Sequence, residues 1–293
     1  MKALIIAEHA AAAAELVAGA RTMADEVVAI SFDGAYECGA DKVLNITVPE
    51  GLTVDSAVET VNAAFDAENP EVVLVEACRH MKVIAGSLAF HADTAVITDV
   101  TAFEAEGAKS MYFGGIAERV QKAAGNVAIY TIGVGVFDGA EGANGSVAEQ
   151  EWVAPARPVK VVSSQVIEKS GVNLFKADVV VAAGRGFAEE SQLSMANDLC
   201  DKLGAGLACS RPLTEGVNWL PTERYVGVSG LMLTPKAYIA VGISGQMQHM
   251  VGCNRSGAIF AINKDKNAPV FKQCDYGLVG DIKTVLPALV AAL

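Results

Sequence analysis

The six cysteines of this chain contain no CxxC pair. Neither a disulfide framework nor a zinc ribbon is expected, and buried, reduced thiols are the simpler reading. No apolar run approaches the ~18–20 residues of a membrane span. The N-terminus carries one short apolar stretch with Glu8 and His9 directly behind it, which is not a signal-peptide pattern, so a cytoplasmic location is expected. Cations are scarce in the first half: residues 1–150 hold 8 Lys/Arg against 22 Asp/Glu, while residues 151–293 hold 14 against 12. Nucleic acid and anionic lipid both need clustered cations, so neither is an expected partner of the acidic half. An anionic ligand is better sought in the second half. His9, His80 and His91 lie in the acidic half apart from His249, and no metal constellation is evident. Trp152 and Trp219 stand alone and make no stacking platform for single strands. No GxGxxG follows the first strand of either half, which leaves an ordinary NAD site unsupported. GxxxxGK[ST] and GxSxG are also missing, which excludes a P-loop and a hydrolase nucleophile elbow.

What the chain does have is apolar bulk. It has 293 residues, of which 52% are hydrophobic and 19% charged. That length fits two domains. The excess of apolar residues points to parallel strands buried on both faces. Strands are predicted over residues 2–7, 26–32, 43–48, 71–76 and 95–100, with helices over 9–24, 53–67 and 81–90. Residues 110–113 and 126–132 read as a late β pair. Residues 139–158, rich in Gly, Ala and Glu with Pro155 and Pro158, read as a linker or crossing segment. A second alternation follows, with strands over 178–183, 205–209, 237–241 and 258–262. Helices are expected after Gly186, over 246–251, and in a last stripe carrying Leu278, Val279, Ile282, Val285, Leu286 and Leu289. The expected fold is α/β, two doubly wound parallel-sheet domains covering 1–176 and 177–293, the second flavodoxin- or Rossmann-like.

In the second half every strand ends in a small or polar cluster: Gly184-Arg185-Gly186, Ser210-Arg211, Ser244-Gly245 and Asn263. In an open parallel sheet these ends share one edge, and ligands bind in the crevice there. Gly245 is expected to open a helix whose free N–H groups favour phosphate. Arg185 and Arg211 add cations on the same edge. A nucleotide carrying a pyrophosphate fits this pattern; glycines serving only as turns are the alternative.

These residues are also recognisable. The runs YIAVGISGQMQH (238–249), AINKD (261–265), APVF (268–271) and DYGLVGD (275–281) resemble the C-terminal signature of the electron transfer flavoprotein alpha subunit. Gly184-Arg185-Gly186 and CSRP (209–212) match in order and spacing. GADKV (39–43), TDVT (98–101) and YFGG (112–115) resemble its N-terminal domain more loosely. The resemblance implies FAD in the C-terminal domain, and a heterodimer in which the N-terminal domain packs on a beta subunit. It implies Ser210 and Arg211 at the flavin ring and the Ser229 hydroxyl at flavin N5. Gln248 and His249 would meet the ribityl chain and pyrimidine edge, and Ser244 and Gly245 the pyrophosphate. Arg185, Asn263 and Asp281 would hold the AMP portion, with Gly227, Val228, Gln246, Met247 and Ile282 as further contacts. A cation or strong donor near flavin N1 and C2=O would stabilise the charge that reduction puts there, and Arg211 and His249 are the expected sources.

The chain departs from the common pattern at one place. Many members read QVGQTG where this chain reads YVGVSG over 225–230, so two amides become Tyr225 and Val228 and the threonine becomes Ser229. The hydroxyl expected at N5 survives, but the amide contacts do not. ERYVGVSG (223–230) and QHMVG (248–252) lie closer to a FixB-type branch linked with acyl-CoA reduction in anaerobic metabolism and with nitrogen fixation. The resemblance makes the chain an electron carrier between a donor such as NADH, ferredoxin or a dehydrogenase and an acyl-CoA dehydrogenase, reductase or quinone-linked acceptor. A self-contained NAD-dependent dehydrogenase and a non-redox adenine-nucleotide-binding regulator are the alternatives.

Overall fold

A computed structural model describes residues 1–133, 135–139, 142–165 and 172–293. The chain forms two compact units, one of residues 1–112 with 118–166, the other of residues 113–117 with 167–293. Both are mixed α/β with parallel-dominated sheets.

The first unit holds β1 (Lys2–Ile6), α1 (Ala10–Arg21), β2 (Glu26–Phe32), β3 (Lys42–Ile46), α2 (Val58–Glu68), β4 (Val72–Glu76), α3 (Arg79–His91), β5 (Val96–Glu104), β6 (Gly107–Tyr112), β7 (Ala117–Gln121), β8 (Ala128–Ile132) and β9 (Ser146–Glu149). The strand order is β7-β6-β5-β8-β4-β1-β2-β3-β9. In β1 the period of two sends Leu4 and Ile6 into one core, with Val61 of α2 and Ile84 of α3. Ala3 and Ile5 enter the opposite core, with Leu16 and Val17 of α1. A strand covered on both sides is apolar throughout, and this is the origin of the chain's high mean hydropathy.

Three expectations need correction here. The strands near 110 and 130 do not pair with each other. β6 runs antiparallel to β5, whereas β8 inserts between β4 and β5 and runs parallel to both. Local polarity could not place β8, because its neighbours lie far away in sequence. The stretch read as a linker contains β9, which extends the sheet beside β3. All four β9 residues are exposed, as suits an edge strand, so the stretch lacks the apolar signal of an inner strand. The helix expected over 53–67 starts as a 3₁₀ turn, Val54–Ala57, before α2.

The second unit holds β10 (Val179–Ala183), α4 (Leu193–Leu203), β11 (Gly206–Cys209), β12 (Ala237–Val241), α5 (Met247–Met250), β13 (Ala258–Asn263), β14 (Tyr276–Val279) and α6 (Ile282–Ala292). The order is β11-β10-β12-β13-β14, every pair parallel. The chain goes from β10 outward to β11, then returns to the other side of β10 with β12. This is the flavodoxin-like order, and its reversal leaves a crevice between the C-terminal ends of β10 and β12. Val180, Ala182, Tyr238 and Ala240 face one core, with Met250 and Cys253. Val181, Ala183 and Val241 face the other, with Leu199 of α4 and Leu286 of α6. Gly204 ends α4 in the left-handed conformation at φ 60°, where a glycine carries no steric penalty. Leu278 and Val279 lie in the edge strand β14 and not in the last helix. The stripe they were read into begins only at Ile282, behind the Asp281 cap.

Candidate functional site

The crevice is built by two turns that touch backbone to backbone. Gly184 N–H donates to the Val241 carbonyl at 2.9 Å and Gly186 N–H to the Gly242 carbonyl at 2.9 Å. A Cβ on Gly186 would fall 2.5 Å from Gly242 Cα, and Gly242 itself has φ +64°. Gly245, at φ +85°, lies against the backbone of Val270, whose N–H donates to the Ser244 carbonyl at 3.0 Å. Side chains at these positions would hold the turns apart. Their absence leaves an open cleft of about 410 Å³ along the strand ends.

Arg185, Ser210, Arg211, Val228, Ser229, Ser244, Gln246, Gln248, His249 and Asn263 all line this cleft. Strand ends far apart in sequence thus deliver most of the expected residues to one place. Gly227 and Gly245 shape the walls through backbone contacts. Met247 begins α5, on the segment between the lining residues Gln246 and Gln248. Asp281 and Ile282 are not among the lining residues. Asp281 caps α6, its carboxylate accepting from Lys283 N–H at 2.9 Å, and Ile282 is buried in the core beside α4. Tyr225, Ile243, Asp265 and Pro269 are among the further lining residues that the sequence had not marked as ligands. Asp265 carried a signal, since it stands at the end of the AINKD run.

The charges are arranged simply. Arg185 is exposed and makes no ion pair among the described residues. Arg211 Nε donates to Glu215 Oε2 at 2.6 Å, and this carboxylate raises the guanidinium pKa further, so Arg211 stays charged. Asn263 is held by backbone: its Nδ2 donates to the Ile243 carbonyl at 2.9 Å and its Oδ1 accepts from Asp265 N–H at 3.0 Å. It therefore ties β13 to the β12 turn. Tyr225 replaces an amide in the common pattern but still reaches the site, with its hydroxyl 3.1 Å from Ser229 Oγ. α5 is a single turn behind Gly245, too short to build a macrodipole.

His249 is a buried polar side chain in the cleft wall. It is 7% exposed, its Nε2 lies 2.9 Å from the Tyr238 hydroxyl, and its Nδ1 is buried without a partner. Burial lowers its pKa to about 4, with the Val226 backbone opposing the shift, so the ring is neutral at pH 7. Of the two kinds of source expected from the sequence, a cation or a strong donor, a neutral His249 can be only the donor, because the low-dielectric wall disfavours the charged form. An orphaned polar nitrogen of this kind costs stability unless a ligand satisfies it.

A second edge lies in the first unit, where the strand order reverses between β1 and β4. His80 Nδ1 lies 2.9 Å from Glu8, His9 Nδ1 lies 2.7 Å from Glu76, and Cys78 Sγ lies 3.2 Å from Glu8. Residues that looked scattered in sequence thus meet here. Each is satisfied by a neighbour, and burial pushes the Cys78 thiol up to about 12. All six cysteines are free thiols. No helix among the described residues is long and apolar enough to cross a membrane.

Residues 173–254 match the model of the electron transfer flavoprotein FAD-binding domain, and residues 3–157 match the electron transfer flavoprotein domain. The chain belongs to the electron transfer flavoprotein family, as an alpha-type member, and FAD is its cofactor. Among curated relatives, it is 40% identical to Protein FixB of Escherichia coli O139:H28 over 95% of this chain and 94% of that one. Protein FixB of Escherichia coli O157:H7 is likewise 40% identical, with the same coverage. The cleft fits the cofactor on its own chemistry. Its glycine turns admit close approach, Arg185 and Arg211 bring positive charge to a cleft that would hold an anionic dinucleotide, and the orphaned His249 Nδ1 lacks a polar partner.

Proposed function

We propose that the chain is the FAD-carrying alpha subunit of a heterodimeric, cytoplasmic electron carrier, with the FAD in the cleft between the β10 and β12 turns. The observation that carries this reading is the unpartnered Nδ1 of buried His249 at a flavodoxin-type strand-order reversal. FAD supplies reversible uptake and release of electrons in single or paired steps. The chain's residues bind it and set its potential. Arg185 holds the pyrophosphate-bearing end, with the Ser244 and Gly245 turn beside it. Gln246, Met247 and Gln248 carry the wall along the ribityl chain. Ser210, Arg211, Gly227, Val228 and Ser229 form the rim at the ring. The Tyr225 hydroxyl shares a hydrogen bond with Ser229 Oγ, and so orients the hydroxyl meant for the ring's N5 edge. His249 meets the pyrimidine edge as a neutral donor, while Arg211 brings the positive charge. Asn263 acts by fixing the β12 turn. Asp281 and Ile282 act by starting α6 at the same edge, not by lining the cleft.

The first unit packs on a beta subunit in this reading, as the alpha-type family membership implies. The redox partner in this reading is an acyl-CoA dehydrogenase or reductase of anaerobic metabolism, as the sequence resemblance to the FixB-type branch implies. The test is co-expression with the beta subunit and an absorption spectrum. A yellow heterodimer that releases FAD on denaturation is expected. A colourless heterodimer overturns the reading. Binding of AMP but not FAD would favour a nucleotide-binding regulator, and NADH turnover by the lone chain a self-contained dehydrogenase.

A further inference from the structure

We propose that the first unit carries a site for a zinc-type divalent cation at the C-terminal ends of β1 and β4, with Glu8, His9 and Cys78 as its ligands. The strand order reverses there. The chain runs from β1 out to β2 and β3, then returns to the other side of β1 with β4. Such a reversal opens a ligand crevice at the strand ends. In the second unit the corresponding crevice is lined by arginines and glycines. In the first, Glu8 and His9 follow β1, Glu76 ends β4, and Cys78 and His80 follow it. Two carboxylates, two imidazoles and a thiol repel an anion and attract a cation. A Glu8 oxygen, a His9 ring nitrogen and Cys78 Sγ all lie within 4.8 Å of one another. One ion about 2.0–2.3 Å from each would draw them to roughly 3.3–3.6 Å apart. Cys78 Sγ and Glu8 Oε2 are already that close, at 3.2 Å, with the thiol donating to the carboxylate. A proton stands where the ion would bridge them.

The ligands are held before any ion arrives. Glu76 Oε2 accepts from Glu8 N–H at 2.8 Å and from His9 N–H at 3.1 Å, and the Tyr36 hydroxyl donates to the Glu8 carbonyl at 2.6 Å. Glu76 Oε1 lies 2.7 Å from His9 Nδ1. A carboxylate on one ring nitrogen orients the imidazole and leaves the other nitrogen to coordinate. His80 Nδ1 lies 2.9 Å from Glu8 Oε1 and orients that carboxylate in turn. The donor set selects the ion. Thiolate and imidazole suit zinc, whereas magnesium and calcium take oxygen ligands. Three protein ligands leave a fourth position to water. On binding, Cys78 Sγ coordinates as the thiolate and its proton passes to water. The thiolate and the Glu8 carboxylate then balance the two charges of the ion, which clasps the end of β1 to that of β4. The site belongs to the first unit alone and does not rest on the FAD reading.

The experiment uses the purified heterodimer, stripped with a chelator, dialysed and titrated with Zn²⁺. Bound zinc is counted, and its ligands are read by X-ray absorption at the zinc edge, which a flavin does not obscure. The wild type is expected to hold one zinc that Cys78→Ala does not, with one sulfur neighbour at about 2.3 Å and nitrogen or oxygen neighbours at about 2.0–2.2 Å. His9→Gln, a change at an exposed side chain, should lose the same zinc. His80→Gln should weaken binding about 10- to 100-fold and keep the sulfur neighbour, as expected of a residue that only positions Glu8. No bound zinc, zinc without a sulfur neighbour, or zinc held equally well by Cys78→Ala overturns the proposal. Should Cys78→Ala fail to fold, zinc held equally well by His9→Gln overturns it instead. A yellow heterodimer without this zinc defeats this proposal alone. A colourless one that holds it defeats only the FAD reading.

Discussion

The burial of His249 makes a definite demand on how stability depends on pH. Its pKa falls from 6.5 to about 4 in the folded chain. Between these values the unfolded chain binds a proton that the folded chain refuses, so stability is lost as pH falls. The full contribution above pH 6.5 is about 3 kcal/mol, from a shift of roughly 2.5 units at 1.36 kcal/mol each. Linkage places about 2 kcal/mol of this loss between pH 7 and pH 5, and the loss levels off below pH 4. Among the described residues no carboxylate hydrogen-bonds the ring to reverse the sign; Nε2 lies against Tyr238, which burial keeps protonated. The assay is urea unfolding of the flavin-free chain at pH 7 and pH 5, with and without His249→Gln. Trp219 lies in the second unit and Trp152 in the first, so Trp152→Phe leaves fluorescence that reports the right unit. Other titrating groups act alike in both proteins and cancel in the difference. The wild type should lose about 2 kcal/mol more than the variant. Parallel losses would refute the argument that the ring is buried and neutral.

Three further perturbations test the surroundings. Gly242 and Gly204 have nearly the same backbone angle, φ +64° and φ +60°, but a Cβ on Gly242 meets Gly186 Cα at 2.7 Å while one on Gly204 meets nothing. Gly204→Ala should cost about 1–2 kcal/mol and leave FAD bound, whereas Gly242→Ala should cost a further 1–3 kcal/mol and release it; equal effects in urea unfolding and flavin content would contradict the close-approach argument. Glu215→Gln removes the carboxylate beside Arg211, which should raise the flavin potential in a redox titration, while Arg211→Ala should lower it. Asp281→Ala should cost about 1 kcal/mol as a lost helix cap with the flavin spectrum little changed; strong loss of FAD would restore the direct role its sequence pattern implied.

The site was more legible in the sequence than the sheet that carries it. Clusters such as Gly184-Arg185-Gly186 and Ser244-Gly245 mark strand ends because close backbone packing tolerates no Cβ there, and that requirement is written in residue identity. The insertion of β8 between β4 and β5 is a long-range pairing with no local trace. β9 was missed for the opposite reason, since an exposed edge strand lacks the buried pattern. The sequence left open whether His249 is a cation or a neutral donor, because its charge depends on burial, and burial comes from Tyr238 and the α5 segment folding onto the 227–231 loop. Tyr225 looked like a lost contact, yet its hydroxyl reaches Ser229 from four residues away. The pairing of Glu8 with His80 joins the ends of β1 and β4 and was equally invisible along the chain.

The most direct test of the whole account is a density map of the heterodimer purified with its flavin. The account predicts the isoalloxazine ring between the β10 and β12 turns, its pyrimidine edge hydrogen-bonded to His249 and the Arg211 guanidinium beside it. A flavin seated elsewhere, with His249 Nδ1 still unpartnered, would contradict it.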